Sequence, residues 1–121
     1  EDLQIISACC VEAQVKTSDI KYLPSTKVFL LSLSRLSKEE ENEHRRVNSI
    51  IKFDYVQSSK SKNIDQNAFD EELKLFTINV FKKDNNFEII LLFSKNRIIT
   101  LSVEIIEVTL EDQKLTNDKN T

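Results

Sequence analysis

The segment from Phe87 to Leu110 constrains the fold more than any other part of the chain. Phe87, Ile89, Leu91 and Phe93 recur at every second position, with Glu88, Ile90 and Leu92 between them. That spacing places the two sets on opposite faces of an extended ribbon. Ser94, Lys95 and Asn96 interrupt the apolar run. Asn tolerates a left-handed backbone better than other non-glycine residues, so a three-residue hairpin turn is expected here. The return arm sets Ile99, Leu101, Val103 and Ile105 against Thr100, Ser102 and Glu104. After Ile106 the phase inverts, and Ile106, Val108 and Leu110 alternate with Glu107 and Thr109. A strand changes its buried face by one residue only at a bulge or a sharp bend. The sequence therefore predicts a long strand that kinks near Ile105–Ile106 and passes from one part of a sheet to another. A helix over Leu101 to Leu115 is the rival reading, and the density of Ile, Val and Thr disfavours it.

The rest of the chain supplies partners for this hairpin. Asp2 can cap a helix, and Leu3, Ile6, Cys10 and Ala13 recur at helical spacing, predicting an amphipathic helix from about Leu3 to Glu12. Val15 to Leu23 alternates weakly, Pro24-Ser25-Thr26 makes a turn, and Lys27 to Leu36 alternates clearly, with Phe29, Leu31 and Leu33 on one face. Residues 37–46 are the most charged segment and read as a solvated loop, with at most a helical turn capped by Ser37. Val47 to Gln57 is a strand in which Val47, Ser49, Ile51, Phe53 and Tyr55 share a face. Residues 58–72 read as a long polar loop anchored by Ile64 and Phe69, with one helical turn near Asp65 to Phe69. Leu73 to Lys83 is a strand with Phe76, Ile78 and Val80 on one face, and Asp84-Asn85-Asn86 closes a hairpin into Phe87.

These elements describe one domain over 1–121: a helix in 1–14, an antiparallel sheet in 15–110 and a polar tail in 111–121. The fold class is α+β, mainly β, with the N-terminal helix packed on a curled six-stranded antiparallel sheet or partly open barrel. A pleckstrin-homology-like roll is compatible with that strand count, by analogy alone.

Composition excludes several chemistries. The chain has no glycine, hence no glycine-rich phosphate loop, dinucleotide fingerprint or glycine-flanked serine elbow. No apolar run approaches the roughly 20 residues of a membrane-spanning helix. A formal net charge of −3 argues against a nucleic-acid binder. Cys9 and Cys10 are adjacent, so a disulfide between them would be strained. They read as two small core residues in a reducing cytoplasm. Glu1 stands where an initiator Met would, so residues preceding it are expected.

No catalytic, metal or cofactor set emerges. His44, the only histidine, lies among charges in a predicted loop that would hold neither a nucleophile nor an orienting partner. Cys9, Cys10 and His44 lack metal-site spacing. Arginines are scarce beside lysines, and an arginine fork grips carboxylate or phosphate at two points. Arg35, Arg45 and Arg46, with Lys60 and Lys62, are therefore the candidate ligand- or partner-binding residues, opposed by Glu39 to Glu43 as local neutralisers. Glu104, Glu107 and Glu111 read as an acidic edge row that blocks aggregation.

Glu1-Asp2-Leu3-Gln4-Ile5-Ile6-Ser7-Ala8 and Asp19-Ile20-Lys21-Tyr22-Leu23-Pro24 carry a resemblance that continues through Arg45-Arg46, Ile51-Lys52-Phe53-Asp54 and Leu101-Ser102-Val103-Glu104-Ile105-Ile106-Glu107. In that order and spacing the chain resembles an uncharacterised family of small alphaproteobacterial proteins, the domain of unknown function 2948 family. The resemblance implies no activity and no catalytic residues. The sequence leads to a non-enzymatic, cytoplasmic binding module for a protein partner or its own twin, without cofactor. The alternatives are an anion or phospholipid-headgroup site at Arg45 and Arg46, and an enzyme with carboxylates in the barrel mouth.

Overall fold

The computed structural model describes residues 2–40, 43–64 and 70–113, the side chains of 37–45 excepted. Helix α1 (Leu3–Cys9) starts where the Asp2 carboxylate accepts the Gln4 N–H at 2.9 Å. It ends earlier than the expected Glu12, because Glu12 adopts a left-handed backbone (φ 61°) and turns the chain into a strand. The strands are β1 (Ala13–Lys16), β2 (Ile20–Leu23), β3 (Val28–Glu40), β4 (Glu43–Phe53), β5 (Val56–Lys62), β6 (Glu72–Lys83), β7 (Asn86–Phe93), β8 (Arg97–Val103) and β9 (Val108–Asp112). They form one antiparallel sheet in the order β5-β8-β7-β6-β1-β3-β4-β9, with β2 paired to β3.

The sheet is nine-stranded, not six-stranded, and it is not closed into a barrel. The extra strands come from three places. The weak run Val15–Leu23 divides at a 3-10 turn, Thr17–Asp19, into β1 and β2. The first five residues of the predicted polar loop 58–72 belong to β5, an edge strand bonded only to β8, whose wet outer side chains hide its β character from a compositional reading. The inverted phase after Ile106 is β9. The bend at Glu104–Glu107 carries the chain from β8 to pair with β4, near the opposite end of the sheet order, as the phase change predicts. The charged stretch 37–46 is also not a loop. β3 runs to Glu40 and β4 starts at Glu43, in register through Leu36↔Arg46 and Ser37↔Arg45. A backbone ladder needs no apolar side chain, so the ribbon extends past the core. The predicted turn at Asp65 to Phe69, the Phe69 anchor and tail residues beyond 113 lie outside the described residues.

One core covers one face of the sheet: Leu3 and Ile6 of α1, with Cys10 just after it, pack with the inward residues of every strand but β2, whose Ile20 and Tyr22 lie against it partly buried. Phe29 and Phe53 meet edge-to-face, 5.9 Å between centroids. At one corner the start of β5 meets β2 and the turn before β3, where the Tyr22 hydroxyl donates to Val56 O and the Val56 N–H to Lys27 O. Beyond Ala13↔Leu75 the free edge of β6 is met by α1, whose Ser7 Oγ accepts the Ile78 N–H at 3.1 Å.

Several inward assignments change. A bulge between Leu75 and Thr77 shifts the phase of β6, so Leu73, Leu75 and Ile78 are buried while Phe76 is 48 % exposed. Tyr55 sits at φ 60° between β4 and β5 and is exposed, as is Ile105 in the β8–β9 bend. Cys10 is in the core and Cys9 is exposed. Lacking glycine, the chain places Glu12, Lys27, Tyr55, Asn63, Asp84, Lys95 and Asn96 at positive φ. Each is a local cost met by tertiary contacts.

Candidate interaction surface

The outer face of β6–β7–β8 follows from register. Leu92 pairs with Thr77 on one side and Ile98 on the other, and Ile98 pairs with Lys62 of β5. One row along, Asn79, Ile90, Thr100 and Lys60 align; beyond it come Phe81, Glu88, Ser102 and Ser58. Directly paired residues share a face, so Ile90, Leu92 and Ile98 stand together on the side away from the core. Phe76, turned outward by the bulge, and Phe81, 53 % exposed, flank them along β6. An antiparallel strand with one wet face alternates apolar and polar; β7 is apolar on both, the pattern of a strand covered on both sides. Among the described residues no helix or strand lies over this face.

Toward the β6–β7 turn the same face becomes polar and forms a shallow concavity of about 270 Å³ that includes Lys60, Lys83, Asp84 and Glu88. Lys83 Nζ lies 3.5 Å from Glu88 Oε2. A larger polar groove of about 470 Å³ crosses β1, β3 and β4, where β1 and β3 part after Gln14↔Ser34. Gln14, Ser32, Ser34 and Asn48 line it, with Lys16 facing Asp19 and Glu72 at one end.

The structure does not gather the candidate cations into one basic site. Arg35 is turned inward and spends its fork on Asp112, with Nη2 at 3.0 and 2.9 Å from the two carboxylate oxygens and Nε donating to Ser49 Oγ at 3.2 Å. Arg46 donates from Nε and Nη2 to Ser34 Oγ and O at 2.8 and 2.7 Å. The side chain of Arg45 and that of His44 lie outside the described residues. Lys60 and Lys62 are on β5, bordering the apolar outer face rather than the arginines.

The carboxylates whose ionisation is perturbed are all held below their ordinary range. Asp112 accepts from Ser49 Oγ at 2.6 Å, which with Arg35 favours its charged form. Asp70 accepts from the Ser18 N–H and hydroxyl and from Thr17, and Glu71 from Arg97 and Lys95. These are acceptors fixed in the ionised state, which staple the segment before β6 to the Thr17–Asp19 turn and to the β7–β8 turn. Burial pushes the Cys10 thiol up to about 11. Among the described residues no His, Cys, Asp and Glu cluster is placed to hold a metal ion. No described helix is long and apolar enough to cross a membrane.

Sequence reasoning named Lys60 and Lys62 but missed Phe76, Phe81 and Ile98 as members of a surface. The signal was present in β7, where Ile90 and Leu92 oppose an already apolar inner set. A family model described as "Protein of unknown function (DUF2948)" matches residues 1–121. The chain belongs to that family. Neither the curated proteins nor the solved structures contain a match.

Proposed function

We propose that this member of the family is a non-enzymatic interaction module that presents the outer face of β6–β7–β8 to a protein partner or to a second copy of itself. The observation that carries this is the uncovered cluster of Phe76, Phe81, Ile90, Leu92 and Ile98 on a strand set already saturated on its inner side. Contiguous exposed apolar surface of this kind marks contact sites. The pinned, ionised state of Asp70, Glu71 and Asp112 suits structural acceptors rather than an acid–base pair. Arg35 and Arg46 are engaged by Asp112 and Ser34, which weakens the anion-site reading; the side chain of Arg45 lies outside the described residues. A pleckstrin-homology-like roll usually carries a C-terminal closing helix, whereas α1 precedes the sheet, so no headgroup function is taken from that analogy. Two unpaired thiols, one exposed, suit a reducing compartment such as the cytoplasm.

Light scattering on the purified chain, with affinity capture from native lysate, tests the surface against Leu92→Arg. Self-association or a retained partner that Leu92→Arg removes, with the fold intact, supports it. A monomer with no Leu92-dependent partner sinks it.

A further inference from the structure

The graded exposure of its residues lets the outer face be read as a shallow trough. Ile90, Leu92 and Ile98 are only partly exposed and form its floor, while Phe76 and Phe81 are about half exposed and wall the β6 side. Lys60 and Lys62 line the β5 side, and Lys74 and Lys83 stand at the two ends of β6. Lys83 is shared with Glu88 (3.5 Å), Asp84 lies beside them at the turn, and Glu72, two residues from Lys74, is paired in register with Lys16. The border of this one face is therefore mainly basic although the chain carries a net −3.

Size decides what fits. From β6 to β5 is three strand spacings, about 14 Å, close to the 10–12 Å diameter of an α-helix with its side chains. From the Glu88 row to the Leu92 row is four residues, about 14 Å, the length of roughly nine helical residues. The resulting footprint, about 14 Å by 14 Å, is that of one short helix laid across the face. Two copies packed face to face would oppose lysine borders.

Resting on the interaction-module reading, we infer that the trough between β6 and β5 receives an amphipathic α-helix of a partner protein, with an apolar stripe for Ile90, Leu92 and Ile98 and acidic residues flanking it for the lysine border. The stripe recurs at i, i+3, i+4 and i+7, the helix-in-groove mode of recognition. The acids add steering and orientation more than affinity.

The test uses the full chain and two blocked peptides of about fifteen residues, long enough to form helix. Both carry the same leucine stripe, one flanked by glutamates and the other by lysines, and binding is read by fluorescence anisotropy. The glutamate peptide should bind at least about tenfold tighter than the lysine peptide, the sum of several exposed ion pairs. That preference should shrink between about 0.05 and 0.5 M salt and reverse in Lys60→Glu/Lys62→Glu. Ile98→Asp should abolish binding; if that variant fails to fold, Thr100→Arg blocks the floor by bulk from a partly exposed position. Equal affinity for the two peptides, or binding that survives Thr100→Arg, overturns the inference. So does capture by phosphatidylserine vesicles without peptide binding. Should the chain ignore both peptides yet self-associate in a Leu92-dependent way, the helix falls while the surface stands.

Discussion

Asp112→Ala is the most informative perturbation of the fold, because it separates making a polar contact from breaking one. Arg35 of β3, Ser49 of β4 and Asp112 of β9 form a closed network in which Ser49 is 1 % exposed and the Arg35 side chain 13 % exposed. Removing one partner of a buried pair costs about 3–5 kcal/mol, because a charge is left behind without compensation. Asp112 is itself 44 % exposed, so water partly replaces it, which reduces the expected loss to about 2–3 kcal/mol. Arg35→Met leaves a carboxylate that can hydrate and should cost about 1–2 kcal/mol. The double variant should cost less than the sum, with a coupling of about 1–2 kcal/mol. Urea unfolding at neutral pH with unchanged slope measures each corner. Amide exchange should quicken first in β9, whose backbone pairs in the sheet only with β4. Asp112→Ala below about 0.5 kcal/mol, or additivity within that margin, would refute the claim that this network anchors the last strand.

Other consequences follow from the same fold. The folded values of Asp70, Glu71 and Asp112 are depressed, so their stabilisation is present above the unfolded carboxyl range, about pH 4, and is lost as pH falls through the lower folded values. Acid unfolding followed by circular dichroism should show that loss below about pH 4, and Asp70→Asn should flatten it. Leu101→Ala, at a site with 0 % exposure, should cost about 2–5 kcal/mol in denaturant titration. Lys95→Gly should raise stability by about 0.5–1 kcal/mol, since Lys95 sits at φ 62°; a lowered melting point would show that its Glu71 contact outweighs the backbone term. Cys9 should alkylate in the native state at mildly alkaline pH, while Cys10, buried and raised to about 11, should react only on unfolding, as mass spectrometry can follow.

The amino-acid sequence alone determined the β character, the N-terminal helix, the turns at Pro24, Asp84–Asn86 and Ser94–Asn96, the inner faces of β3, β7 and β8, and the bend that delivers β9 elsewhere. All of these are local: a side-chain period of two, a cap, a turn residue or a phase inversion can be read within about ten residues. Tertiary structure decided the rest. β5 and the charged ends of β3 and β4 are strands because a neighbour completes their backbone hydrogen bonds, a property of the neighbour and not of their own composition. The bulge at Phe76 exists because Leu75 pairs with Phe93 while Thr77 pairs with Leu92, and Arg35 is a latch because β9 brings Asp112 across 77 positions of chain. The outer trough likewise exists only once Lys62, Ile98, Leu92 and Thr77, from four separate strands, are in line, since register between strands is set by the packing of both faces together.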